Sequence, residues 1–295
     1  MEYANTKILY SECIIIKKGG KRLSRLKLGM IARLKPDVEK ELDKVHDLGF
    51  PTCQVVCWDI NLYTTDIARR LRKAANERDI EITTLWSGLP GRYVWNFIEG
   101  PNTIGLVPPE TRKERLDALK KASDFARSIG IASVTTHVGF IPENPLDPIY
   151  LSLIDVLKKV AKLCGRNDQE FWFETGQETP VTLLRTIEDV GAENLGVNFD
   201  PANLLMYGKA NPVDALDIIG IYVRGVHAKD GEYPTNGREL GKEKPIGEGR
   251  VNFPVLIKKL KALGYSGALT IEREISGPQQ IEDIKKAKVY LESLC

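Results

Sequence analysis

From Leu26 onward, short apolar runs alternate with amphipathic segments whose apolar residues recur every three to four positions. The run 26–32 (LKLGMIA) has strand character. Pro36 then opens the helical segment 36–50, in which Val38, Leu42 and Val45 share one face and Gly49 provides a stop. Further strand-like runs stand at 52–58 (TCQVVCW), 80–86 (IEITTLW), 131–137 (IASVTTH), 170–174 (EFWFE), 195–200 (LGVNFD), 222–230 (YVRGVHAKD, a strand with its following loop) and 268–274 (ALTIERE). Helical patterns follow them at 65–79, 111–129, 147–165, 180–191, 211–220, 253–264 and 277–294. In the second of these, Leu116, Leu119, Ala122, Phe125 and Ile129 fall at helical spacing.

Eight strand-then-helix units imply right-handed crossovers and a parallel sheet. Packed into residues 27–295, they predict an α/β fold of one domain, a closed (β/α)8 TIM barrel, which typically needs about 250 residues. An open nucleotide-binding sheet would want a glycine-rich first turn, and the turn here is RLKP. The connection 87–109 is too long for a plain link, since loops beyond about 15 residues are usually lids or binding loops. Its Tyr93, Trp95 and Phe97 would cover a pocket or anchor the loop to the barrel.

Composition narrows the function classes. Of 295 residues, 42% are apolar and 28% charged, ordinary for a soluble globular protein. A net charge of +2 argues against a broad nucleic-acid surface. No apolar run reaches the roughly 18 residues of a membrane span, so neither nucleic acid nor membrane is expected as a partner. Cys13, Cys53, Cys57, Cys164 and Cys295 are odd in number and scattered without CxxC spacing. They read as reduced thiols, which places the protein in a reducing, cytoplasmic compartment. Residues 1–26 read as a flexible, disordered N-terminal extension or an early start codon; a docked extra strand or a basic partner contact are the alternatives. Their apolar run precedes the basic residues, the reverse of a secretory signal.

Catalytic residues of such a barrel sit at the C-terminal ends of its strands. The second strand ends at Trp58, the third at Trp86 and the fourth at His137. The next four end at Glu174, Asp200, His227 and Glu272, with Lys229 and Asp230 just beyond His227. Any one of these alone is ordinarily a solvated loop residue, a turn cap or a packing histidine. Neighbouring strands lie about 4.8 Å apart, so four adjacent ends can converge. Three packed carboxylates would repel and partly protonate unless positive charge sat between them. Hard carboxylate oxygens with one imidazole suit Mn²⁺, Mg²⁺ or Co²⁺.

The segments FWFETGQET, LGVNFDPAN, VRGVHAKDG and GEGRVNFPVLIKKLKALGYSGALTIERE together resemble the xylose isomerase-like TIM-barrel family of sugar isomerases and epimerases. The resemblance covers about residues 27–294. In the ketose 3-epimerase branch, the Glu, Asp, His, Glu set binds one divalent metal, commonly Mn²⁺, with Mg²⁺, Co²⁺ and Zn²⁺ as alternatives. It therefore implies Glu174, Asp200, His227 and Glu272 as metal ligands, and Glu174 and Glu272 also as the catalytic carboxylates. The implied reaction is proton abstraction next to a sugar carbonyl through a metal-stabilised cis-enediolate. Two bases on opposite faces give epimerisation, and one base returning the proton to a neighbouring carbon gives aldose–ketose isomerisation. Family members often form dimers or tetramers, so a homo-oligomer is an expectation without a legible interface.

The substrate-contact positions depart from the 3-epimerases. A His usual three residues after the strand-six Asp is here Asn203. An Arg after the strand-seven His is absent, and Lys229 is the candidate cationic contact. A second Glu six residues after the strand-five Glu is Pro180, and the nearest is Glu178. The expected sugar contacts are thus His137, Lys229, Asn203, Trp58, Trp86 and Glu178. These departures keep open a metal-dependent lyase or hydratase acting on keto-sugars or keto-glycosides. A DNA-repair reading of the endonuclease IV type needs three zinc ions and many histidines; this chain has 3, and His46 sits on the polar face of the first helix.

Overall fold

The computed structural model describes residues 25–295, so Cys13 and most of the extension read at 1–26 lie outside the described residues. Leu26 is already buried in the core, and Arg25 donates to the carbonyl of Glu292 at 3.3 Å.

The barrel strands are β1 (Leu28–Arg33), β2 (Thr52–Cys57), β3 (Glu81–Ser87), β4 (Ser133–Thr136), β5 (Glu170–Glu174), β6 (Leu195–Phe199) and β7 (Val223–Ala228). Two short strands, β8 (Asp230–Gly231) and β9 (Glu243–Lys244), pair antiparallel outside the barrel, and β10 (Leu269–Ile271) completes it. Among the described residues the closed order is β1-β2-β3-β4-β5-β6-β7-β10, with β10 returning to β1 through Leu28↔Leu269. Every neighbouring pair is parallel, as the alternation predicts. Burial on both faces explains why β4 and β6 are buried along their whole length.

The helices pack outside: α1 (Val38–Asp47), α2 (Thr65–Glu77), α3 (Arg112–Ile129), α4 (Pro148–Gly165), α5 (Pro180–Val190), α6 (Pro201–Met206), α7 (Pro212–Ile219), α8 (Phe253–Ala262) and α9 (Pro278–Glu292). Their starts are chemically marked. Thr64, Asp147, Thr179, Asn211 and Asn252 each accept a backbone N–H of the first turn. Gly130, at φ +96°, ends α3 in a left-handed conformation that side chains resist.

Two features near the strand ends were not expected from the sequence. The first is α6, six residues starting directly after Asp200, too short to show a period. The second is the β8–β9 pair, which turns Asp230 back toward the barrel. The Asp230 carboxylate accepts four backbone N–H groups, from Gly231, Gly247, Gly249 and Val251, at 2.8–3.1 Å. That clamp fixes the loop 245–251 beside the strand that carries His227.

The long connection 88–111 is pinned rather than free. Arg115 of α3 is 1% exposed, and its guanidinium donates to the carbonyls of Pro90, Arg92, Thr103 and Gly105. Arg112 donates to the carbonyls of Leu106, Val107 and Ile149. Leu106 N–H reaches the Val138 carbonyl at 2.7 Å. Gly105, at φ +72°, lies so close to that carbonyl that a Cβ would collide with it.

Candidate metal centre

Strand register places the four candidate ligands at one level. Glu174 pairs with Asn198 two residues before Asp200, His227 pairs with Thr270 two residues before Glu272, and Glu272 N–H donates to the Ala228 carbonyl at 3.0 Å. β5, β6, β7 and β10 are consecutive in the barrel, so their ends face one space. One ligand-type atom from each of Glu174, Asp200, His227 and Glu272 lies within 4.8 Å of the others.

Asp200, His227 and Glu174 are each oriented by a separate contact that leaves one atom for the centre. Asp200 caps α6 with Oδ1, accepting Asn203 N–H at 2.8 Å, while its buried Oδ2 has no hydrogen-bond partner. The turn cap and the converging carboxylate are thus the same residue. His227 Nε2 sits 2.8 Å from Gln54 Oε1 and 3.0 Å from Asn198 Nδ2, contacts that turn Nδ1 toward the cluster. Nδ1 is 3.2 Å from Glu174 Oε1, 3.2 Å from Glu272 Oε2 and 3.8 Å from Asp200 Oδ2. Glu174 Oε2 accepts the indole N–H of Trp86, which turns Oε1 to the centre.

Gln54 is held in turn. Its Nε2 donates to Asn198 Oδ1 at 2.9 Å across the barrel interior. Gly225 makes room for that amide pair, since a Cβ there would collide with Asn198 Oδ1 and lie 3.0 Å from the Trp172 ring. Gln54 and Asn198 are functional candidates that the sequence reading missed. The available signal was an amide in the middle of each of two otherwise apolar strands.

The electrostatics favour added positive charge. Burial acts to lower the His227 imidazole, yet the Glu174 and Glu272 carboxylates outweigh it and hold it well above its ordinary value. Burial raises the Asp200 carboxyl, with Lys229 opposing. Burial also acts to raise Glu272, but Lys229 and His227 bring it down to about 2. Of the three carboxylates, burial raises Asp200, whereas His137 and His227 hold Glu174 well below its ordinary value.

Lys229 is no surface lysine. It is 1% exposed, and its Nζ lies 2.9 Å from Glu274 Oε1, 3.3 Å from Asn203 Oδ1, 3.5 Å from Glu272 Oε2 and 3.8 Å from Asp200 Oδ2. His137 stands on the other side, its Nε2 3.3 Å from Glu174 Oε1. Asn203 Nδ2 is 3.4 Å from the same oxygen.

A cavity of about 220 Å³ opens over these residues, lined by Glu174, Glu272, His137, Asn203, Trp58 and Trp86. Trp95, Tyr207 and Gln177 also line it. Glu178 is buried, but Gln177 and not Glu178 forms the wall at that point. Burial pushes the Glu178 carboxyl up to about 7. His46 is exposed, and Cys53, Cys57, Cys164 and Cys295 are buried.

The residues present fit a divalent cation. Asp200 Oδ2, His227 Nδ1 and Glu272 Oε2 are buried polar atoms lacking hydrogen-bond partners, all directed at one space. Such atoms are costly unless an outside group completes them. Three carboxylates and an imidazole are hard or borderline donors suited to Mn²⁺, Mg²⁺ or Co²⁺.

Known proteins share this architecture. The family description "Xylose isomerase-like TIM barrel" matches residues 42–294. A xylose isomerase domain protein from Planctomyces limnophilus is 35% identical with a TM-score of 0.86, covering 91% of this chain and 97% of that one. A D-tagatose 3-epimerase-like protein is 23% identical with a TM-score of 0.68, covering 91% and 98%. An uncharacterized protein of Methanocaldococcus jannaschii is 24% identical over 293 residues, 94% of this chain and 92% of that relative. The chain belongs to the xylose isomerase-like TIM-barrel family.

Proposed function

We propose that the protein is a divalent-metal-dependent sugar isomerase or epimerase that removes and returns a proton next to a carbonyl. The observation that carries this reading is the convergence of four ligand-type atoms from consecutive strand ends, three of them buried without a hydrogen bond, beside a cavity that Glu174 and Glu272 line. Glu174, Asp200, His227 and Glu272 would hold the cation. When bound, it supplies the positive charge that polarises a substrate carbonyl and acidifies the neighbouring C–H.

The remaining work falls to the chain. Glu174 and Glu272 are the two carboxylates that line the cavity from the ligand set, so they are the candidates to take and return the proton. Each has a cation-type neighbour of its own outside the ligand set, His137 at 3.3 Å from Glu174 and Lys229 at 3.5 Å from Glu272. These neighbours hold the carboxylates in place and stabilise their charged forms between transfers. Asn203 and Gln177 offer donors and acceptors to substrate hydroxyls. Trp86 and Trp58 cover the floor and exclude water, which strengthens every charge interaction there.

Asn203 and Lys229 stand where ketohexose 3-epimerases carry other groups, and the two are bonded to each other at 3.3 Å. That altered contact set favours, as a second reading, a lyase or hydratase acting on keto-sugars or keto-glycosides through the same proton abstraction. One experiment separates the readings. Mn²⁺-loaded protein in D₂O is incubated with free sugars, sugar phosphates and keto-glycosides, and products are followed by mass spectrometry. A gain of one deuterium on a recovered or isomerised sugar supports the isomerase reading, and loss or gain of water supports the second. No exchange and no product, in protein holding one metal per chain, would sink both.

A further inference from the structure

We propose that Lys229 is a resident counter-ion of the metal centre, a fixed charge that shares two ligand oxygens with the bound cation, limits how tightly that cation is held and favours a divalent one. This rests on the reading of Glu174, Asp200, His227 and Glu272 as the ligands. It gives Lys229 a role other than the sugar contact expected from the sequence.

Lys229 stands between β7 and β8, two residues after His227, and is buried. Glu272 and Glu274 line the cavity, whereas Lys229 is not among its lining residues. Its ammonium faces the ligand cluster instead. Nζ lies 3.5 Å from Glu272 Oε2 and 3.8 Å from Asp200 Oδ2, two of the buried oxygens that make no hydrogen bond. Among the described residues, no other lysine or arginine pairs with a ligand carboxylate; the remaining partners are His137 and His227. The ammonium hydrogens go elsewhere, to Glu274 Oε1 at 2.9 Å and Asn203 Oδ1 at 3.3 Å. Both acceptors are mounted. The Glu274 backbone N–H donates to Glu243 Oε1 at 3.0 Å, and Glu243 pairs with Arg273 at 2.9 Å. Asn203 sits in α6, its backbone N–H bonded to the Asp200 cap. Lys229 is thereby held back, acting on Glu272 and Asp200 by charge while their inward lone pairs stay open.

The charges give the consequence. Glu174, Asp200 and Glu272 bring three negative charges into a buried space. A divalent cation and Lys229 together bring three positive ones, so the filled centre is neutral, the state a low-dielectric site favours. A trivalent ion beside Lys229 leaves one positive charge in excess. The same ammonium repels any cation held by the shared oxygens, since like charges a few ångströms apart interact strongly away from water. Lys229 therefore weakens metal binding, and it does so more for a trivalent ion than for a divalent one.

Metal affinity of the full chain, read by competition with a chelator, tests this without turnover. Lys229→Met removes the charge and keeps an unbranched chain of similar length. It should bind Mn²⁺ about tenfold or more tightly than the unaltered protein, and Lu³⁺, an ion close in size to Mn²⁺, should gain by a larger factor. Glu274→Gln removes the acceptor that holds the ammonium back. Lys229 then acts more strongly on the shared oxygens, and Mn²⁺ binding should weaken about fivefold. With Lys229→Met already present, Glu274→Gln should change Mn²⁺ binding by no more than about twofold, because its effect runs through Lys229. Damage to the fold loosens a site, so tighter binding is a sign that a merely structural lysine would not give. Unchanged or weaker Mn²⁺ binding in Lys229→Met that is folded by circular dichroism overturns the proposal. So does a Glu274→Gln effect equally large in both backgrounds. Should Lys229→Met fail to fold, Glu274→Gln decides alone, and unchanged or tighter Mn²⁺ binding there overturns the proposal. Unaltered protein that binds no Mn²⁺ rejects the metal reading itself, and the proposal with it.

Discussion

The two halves of the barrel mouth are made of different material. Strands β5, β6, β7 and β10 end in Glu174, Asp200, His227 and Glu272, whose inward atoms are buried and in three cases unpartnered. Strands β2, β3 and β4 end in Trp58, Trp86 and His137, joined by Tyr93 and Trp95 from the pinned connection. The first half is a cluster of carboxylates and an imidazole withdrawn from water, in which Asp200 Oδ2, His227 Nδ1 and Glu272 Oε2 make no hydrogen bond and Lys229 is the neighbouring cation. The second half lacks an apolar shape, because rings have been left exposed on a rigid mount. A fold that separates the two can alter what it recognises without disturbing the chemistry it performs.

The largest effect is expected on the charged half. Asp200→Ala or His227→Ala should reduce bound Mn²⁺ from one per chain to near zero by metal analysis. Deuterium exchange should fall by on the order of 10³-fold, since a bound cation supplies several kcal/mol. A variant that keeps its metal and its rate would dissolve the distinction between the halves.

On the aromatic half, Arg115→Met should leave four carbonyls without their donor and cost about 3 kcal/mol in denaturant unfolding. It should weaken sugar binding more than Mn²⁺ binding, because Trp95 of that connection lines the cavity, and equal losses would mean that the halves are not independent. Gln54→Ala, beneath the charged half, removes a partner of His227 Nε2. It should weaken Mn²⁺ binding about 10- to 100-fold while the fold persists, read by competition with a chelator. Smallest of all is a change away from both halves. The Lys27–Glu81 pair is well exposed at 2.7 Å, and Lys27→Ala should shift stability by no more than about 0.5 kcal/mol by the same unfolding assay.

Much of this was legible in the sequence, for identifiable reasons. The barrel could be read because short apolar-rich runs alternate with helices that carry an apolar stripe, as Val38, Leu42 and Val45 do. The ligand set could be read because Glu174, Asp200, His227 and Glu272 recur at the same point of four successive units. What escaped depends on contacts between residues far apart in the chain. Gln54 meets His227 across the closed barrel, 173 residues away, and Asn198 meets it from the neighbouring strand, 29 residues away. Lys229 looks like a loop lysine until β8 and α6 bury it among carboxylates. Arg115 sits on the apolar face of α3 with Ala122 and Phe125, a misplaced cation whose purpose appears only when the connection folds onto it. The α6 turn is too short for any periodicity, and its start is set by Pro201 and the Asp200 cap.

The central claim is that four consecutive strand ends hold one divalent cation. Anomalous diffraction from crystals grown with Mn²⁺ tests it most directly. The account predicts a single strong peak per chain at ligand distance, about 2.0–2.3 Å, from Glu174 Oε1, Asp200 Oδ2, His227 Nδ1 and Glu272 Oε2. A peak elsewhere, or none at a Mn²⁺ concentration that saturates binding in solution, would contradict it.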